Sequence, residues 1–200
     1  SCKKINEPKK ILRACMALAP HRGTPLKPLR MMIMGVPNVG KSTLMNAILQ
    51  KKIAKVGNEP AITKQQQRYQ INDAMILIDT PGLMWPKIEH ASDGYLLAAN
   101  DAIGKNAYFE DDVALHLASL LLSAYPEKLK NRYKLECLPS TPLDLLHTIA
   151  IKRAYTSKQG VYDIDRASMA LLQDYREGLI GAISLETPQS RKLTNQNLSV

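Results

Sequence analysis

The chain has 200 residues, 45% apolar and 22% charged, an ordinary composition for one full domain or two small ones that excludes disordered and collagen-like classes. No purely apolar run, residues 31–34 included, comes near the ~20 residues that cross a bilayer, so no membrane partner is expected. The net charge of +9 is lopsided: residues 1–100 carry 15 Lys+Arg against 6 Asp+Glu, while 101–200 balance at 12 against 12, and a basic half suits polyanions such as nucleic acid, although many domains carry such charge without binding any.

Ser1-Cys2-Lys3-Lys4 has no initiator Met and no secretory run behind it, and reads as a cut end. Residues 7–19 repeat apolar side chains at helical spacing (Ile11, Leu12, Cys15, Met16, Leu18), which predicts an amphipathic helix. Pro20, Gly23, Pro25 and Pro28 mark a linker, 29–34 a short buried strand, 35–40 a loop, and 41–50 a helix with Leu44, Ala47 and Ile48 on its apolar face. After a loop at 57–64, residues 67–71 and 75–78 read as a hairpin across Asn72-Asp73. Beyond residue 92 strand signals give way to helical stretches at 95–103, 111–124, 142–155 and 164–178, and the polar tail is expected to fray. Cys2, Cys15 and Cys137 match no metal or redox spacing, which points to a reducing, cytoplasmic setting without structural disulfides.

The decisive segment is Gly35-Val36-Pro37-Asn38-Val39-Gly40-Lys41-Ser42, a complete G-x-x-x-x-G-K-S between a predicted strand and a predicted helix. Glycines let the backbone wrap a phosphate so that successive N–H groups and the helix N-terminus face its oxygens, which makes Pro37, Asn38, Val39, Gly40, Lys41, Ser42 and Thr43 the candidate binding residues. Lys41 would set a charge on the β- and γ-phosphates, and Ser42 would offer its hydroxyl to Mg²⁺. About forty residues on, Asp79 ends an apolar strand in Asp79-Thr80-Pro81-Gly82. Asp79 is the candidate second Mg²⁺ partner, and Gly82 offers a backbone N–H to a γ-phosphate and a hinge when that phosphate leaves. Alone, the same tetrapeptide would be a turn closing a strand. Thr63, in Pro60-Ala61-Ile62-Thr63-Lys64, is the candidate third group, capping Mg²⁺ and sensing the γ-phosphate; by itself it is a surface threonine.

In this order these motifs resemble the first three signatures of the Ras-related GTPases. Residues 60–67 and 79–87 are more closely similar to the circularly permuted GTPases of the YlqF/RbgA type, which act in ribosome assembly. Asp111-Asp112-Val113-Ala114, Tyr125-Pro126, Arg132-Tyr133, Lys152-Arg153 and residues 174–178 resemble that family's C-terminal helical domain. The implied architecture is α/β: a Ras-like, circularly permuted P-loop GTPase domain with an incomplete sheet over 1–100, a small all-α domain over 101–188 that binds rRNA, and a polar tail over 189–200. In such proteins the guanine-reading N-K-x-D precedes the P-loop. No N-K-x-D occurs in these 200 residues, and the resemblance implies that the chain begins just after it, with Ser1-Cys2-Lys3 a remnant of the base-supporting motif.

The resemblance also implies a function: a GTP-binding and GTP-hydrolysing switch, cycling between GTP and GDP with Mg²⁺, whose partner is the precursor of the large ribosomal subunit or its rRNA, and not DNA. Lys41, Thr63 and Gly82 would form its catalytic set. Leu83 stands where Ras-like enzymes place a water-orienting Gln, so slow intrinsic hydrolysis is expected. Asn38 has two readings, a K⁺ ligand as in potassium-activated GTPases of similar P-loop, or a loop residue chosen for turn geometry. Ala61 departs from the family's usual Gly. Trp85 reads as a loop anchor or as part of an apolar switch. Two basic runs, Lys128-Lys130-Arg132-Lys134 and Lys152-Arg153-Lys158-Arg166, read either as contacts to RNA phosphates or as solvated helix faces. The rival functions are a GTPase of the tRNA-modification or RNA-chaperone kind and a catalytically inert RNA-binding fragment.

Overall fold

The computed structural model describes residues 7–51, 66–84, 87–88, 90–104, 107–156, 160–189 and 191. The expectations at Ser1-Cys2-Lys3, Pro60 to Lys64 with Thr63, Trp85 and Lys158 lie outside them. The chain divides into two compact units, Ser1–Ile88 with Asn100–Gly104, and Glu89–Ala99 with Lys105–Val200. The boundary expected at residue 100 therefore meets a chain that passes from one unit to the other more than once.

The first unit begins with helix α1 (Glu7–Leu18), then β1 (Leu29–Ile33), α2 (Lys41–Leu49) and the hairpin of β2 (Gln67–Asn72) and β3 (Met75–Asp79). Its sheet has the order β1-β3-β2, with β1 parallel and β2 antiparallel to β3. The hairpin turns where Asn72 and Asp73 predict it, because the Asn72 side-chain oxygen accepts the Ala74 N–H at 2.9 Å and substitutes for a backbone turn. A bulge between Gln70 and Asn72 absorbs the extra residue Ile71. Met45, Ile48 and Leu77 form the core, with Leu12, Met31, Ile33, Leu44 and Tyr69 packed on it. The alternation of β1 decides this: Met31 and Ile33 face the core while Met32 and Met34 point outward.

The second unit contains α3 (Ala91–Ala99), α4 (Glu110–Ala124), α5 (Pro126–Tyr133), α6 (Pro142–Lys152) and α7 (Ile164–Arg176). Helix α4 packs against each of the other four, and its Val113, Ala114, Leu117, Ala118 and Leu121 are fully buried, as are Leu145, Leu146 and Ile149 of α6 and Leu171 and Leu172 of α7. The Leu-rich run is thus a core helix. Helix α6 starts on a capping box between Thr141 and Asp144 and stops at Lys152, short of the predicted 155, where Ala154 turns left-handed at φ 51°. Helix α3 begins four residues earlier than predicted, and α5 was not predicted at all. Among the described residues no helix is long and apolar enough to cross a membrane.

Asp174, 3% exposed, anchors the second unit: Arg132 grips it through two bonds of 3.0 and 2.9 Å, Arg153 donates at 2.6 Å and the Tyr133 hydroxyl at 2.9 Å. Burial raises the pKa of the Tyr133 hydroxyl and keeps it a neutral donor. Three donors on one carboxylate satisfy a charge that the apolar interior would otherwise exclude.

Candidate functional site

Parallel pairing sets Ile33 directly opposite Asp79, so the loops leaving β1 and β3 emerge side by side at the carboxyl ends of their strands, where open α/β sheets bind ligands. Three contacts join them. The Thr80 hydroxyl donates to the Ile33 carbonyl at 2.6 Å, the Leu83 N–H donates to the Gly35 carbonyl at 3.1 Å, and Gly82 lies so near Pro37 that a Cβ there would sit 2.8–2.9 Å from Pro37 atoms. The close approach explains the glycine: only a residue without a Cβ fits. Asp79 is 1% exposed at this junction.

Gly40, left-handed at φ 91°, caps α2 without a side-chain hydrogen bond, and no acidic residue occupies the first turn. The N–H groups of that turn and the positive end of the helix dipole are therefore left for an external anion. Ser42 and Thr43 lie in the first turn, half-buried, while Val39 is exposed. Lys41 folds back over its own loop, its Nζ donating to the carbonyls of Gly35 at 3.0 Å and Val36 at 2.7 Å. Burial lowers its pKa and the nearby Asp79 carboxylate opposes that shift.

Asn38 is left-handed, φ 57°, which suits the turn reading, and its side-chain nitrogen donates to the Asp101 carbonyl at 2.7 Å. Leu83 is 54% exposed and has no polar group to offer a water. A hydroxyl from Ser42 and a carboxylate from Asp79 are hard oxygen donors of the kind Mg²⁺ takes, and they flank a glycine cradle, so the residues present fit that ion. Residues 35–42 and 79–82 are thus brought together, while Thr63 lies outside the described residues.

The structure gives the basic runs internal partners that spacing did not reveal. Arg132 and Arg153 hold Asp174, Lys130 pairs with Glu127 at 3.0 Å, Lys128 donates to the Ala182 carbonyl, Lys152 reaches the Lys134 carbonyl at 3.2 Å, and Arg166 lies over the Tyr155 ring at 4.5 Å. Asp101 and Thr80 were also missed. Thr80 stood inside a quoted motif, whereas the Asp101 partner atom is a backbone carbonyl, for which no sequence signal exists.

A strand, glycine loop and helix beside a parallel strand that ends in a buried aspartate define a P-loop nucleotide-binding fold. Residues 30–140 match the family described as 50S ribosome-binding GTPase. The chain is 39% identical over 160 residues to ribosome biogenesis GTPase A of Priestia megaterium, covering 80% of this chain and 56% of that protein. It is 36% identical over 188 residues to the protein of the same name in Bacillus cereus, covering 90% and 64%. GNP-bound YlqF from T. maritima superposes with a TM-score of 0.56 at 22% identity, covering 93% of this chain and 68% of that one, a likeness of fold. The chain belongs to the 50S ribosome-binding GTPase family. It spans 56 to 64% of the length of the two named relatives.

Proposed function

We propose that this chain binds and hydrolyses GTP as a switch in the assembly of the large ribosomal subunit, in the cytoplasm. The observation that carries the reading is the junction of the two loops, where Gly82 abuts Pro37 and the Leu83 N–H donates to the Gly35 carbonyl. The N–H groups of the P-loop and of the first turn of α2 hold the β- and γ-phosphates, and Lys41 exchanges its bonds to Gly35 and Val36 for phosphate oxygens. Ser42, Asp79 and Thr63 would hold Mg²⁺, which would neutralise charge on the phosphates. The amide oxygen of Asn38 is the atom suited to a K⁺, since its nitrogen is engaged by Asp101.

Water attacks the γ-phosphorus, the bond to the bridging oxygen breaks, and GDP and phosphate leave. Leu83 cannot orient that water, so the unassisted rate is slow and the ribosomal particle supplies what is missing. Loss of phosphate releases the contacts of Gly82 and Thr63 and changes the affinity for the particle. Residues 101–188, whose charges nearly balance, supply an rRNA-binding surface that reads shape more than sequence. Relatives named for ribosome biogenesis and the excess positive charge of residues 1–100 support this partner.

Titration with a fluorescent GTP analogue tests the site. Binding should require Mg²⁺ and vanish in Lys41→Ala; equal binding by wild type and Lys41→Ala would refute it. Hydrolysis measured with and without precursor large subunits then separates the switch from an inert RNA-binding chain, and competition by tRNA separates it from a tRNA-directed enzyme.

A further inference from the structure

The segment Asn100–Gly104 between α3 and α4 belongs to the first unit although both helices belong to the second. It meets the phosphate loop through a bond from the Asn38 side-chain nitrogen to the Asp101 carbonyl at 2.7 Å. Both residues are left-handed, φ 57° and 58°, a conformation that Asn and Asp tolerate and branched residues do not. Ala102, 1% exposed, anchors the segment one residue on. One turn upstream, the fork of Arg176 in the last turn of α7 takes the final carbonyls of α3, Nη2 on Ala98 at 2.8 Å and Nε on Ala99 at 2.9 Å. Those carbonyls are the unpaired acceptors of a helix C-terminus, and a cation there also complements the dipole.

We propose that Arg176 and Asp101 are positioning residues for the nucleotide site: Arg176 fixes where α3 ends, and the Asp101 carbonyl, held in place by that ending, orients the Asn38 amide and the loop around it. The inference rests on residues 35–42 being the phosphate site. Its physical content is a linkage, since whatever orders the loop must also order the end of α3, and the reverse. The Asp101 side chain plays no part; the backbone conformation does.

The test uses the full chain and a fluorescent GDP analogue with Mg²⁺. Arg176→Gln and Asp101→Val should each weaken binding about tenfold, the range typical of coupled sites. Asp101→Asn, which keeps the left-handed preference, should stay within about twofold. The double variant Arg176→Gln/Asp101→Val should bind no worse than either single one, because both break the same connection. Hydrogen exchange without nucleotide supplies a second readout: the amides of Val36 and of residues 38–40 should exchange faster in Arg176→Gln than in wild type at a temperature where both are folded. Unchanged exchange at these amides, or wild-type affinity in Arg176→Gln, overturns the proposal. Wild-type chain that binds no nucleotide while Arg176→Gln still accelerates exchange at these amides would sink the phosphate-site reading and leave the linkage standing.

Discussion

Replacing Gly82 with Ala asks the junction of the two loops a direct question. The new Cβ would lie 2.8 Å from Pro37 Cγ and 2.9 Å from Pro37 Cα and N. Two of these atoms are backbone, so no rotamer change relieves the clash. A relaxed carbon contact is ~3.5 Å, and the loops must part by roughly 0.6 Å. That movement stretches the neighbouring Leu83 N–H bond to Gly35, now 3.1 Å, past hydrogen-bonding range. The lost bond costs about 1 kcal/mol and the overpacking about 1–3 kcal/mol more. For a chain of this size the sum lowers the melting temperature by roughly 4–16 °C. Scanning calorimetry of the nucleotide-free protein measures it. Gly178, left-handed at φ 73° with open space where a Cβ would go, is the control: Ala there bears only backbone strain, about 1 kcal/mol. Should Gly82→Ala melt like Gly178→Ala or like wild type, the two loops are not pressed together as described.

Asp174→Ala leaves Arg132, Arg153 and Tyr133 without their shared acceptor and should cost about 3–5 kcal/mol in denaturant unfolding. Burial alone would raise the Asp174 pKa, but the bonds from Arg132, Arg153 and Tyr133 outweigh it, and the bond from Arg191 lowers that of Asp93. Folded pKa values below the unfolded one, ~3.9, mean stability that is present above it and lost as pH falls through the folded values, so acid unfolding followed by circular dichroism should be shallower in Asp174→Ala. Asp165 behaves oppositely: the Asp111 charge beside it raises its pKa, and Asp165→Asn should raise the melting temperature at pH 7 and leave it unchanged where both carboxyls are protonated. Thr141→Ala removes the capping box of α6 and should cost about 1 kcal/mol by the same unfolding assay.

What the sequence disclosed and what it hid follow from the range of each interaction. The phosphate loop, its flanking strand and helix, and the hairpin are written in neighbouring residues, because glycine placement and the Asn72 turn are local devices. The family resemblance rested on the phosphate motifs together with residues 60–67, 79–87 and positions between 111 and 178, and the match over residues 30–140 bears out the family. Helix α5 escaped because only Leu129 and Tyr133 are buried, leaving little periodicity, although Pro126 and Glu127 at its start and Lys130 and Arg132 at its end are the signals such a helix carries. Gly94 masked the start of α3. The Asp174 cluster joins residues 21 to 42 positions apart, and its arginines were indistinguishable from solvated ones in a linear reading. The partner of Asn38 is a carbonyl, and every residue has one.

Because Asn100–Gly104 groups with the strands while helices flank it on both sides, chain order misleads anyone who would dissect or recombine this protein. Truncation after residue 88, the place that counting strands and helices suggests, strips the Asp101 carbonyl from the phosphate loop. A chimaera that takes everything beyond that point from another species imports a foreign pentapeptide against Asn38. Grafts intended to exchange only the helices should therefore retain residues 100–104 of the recipient.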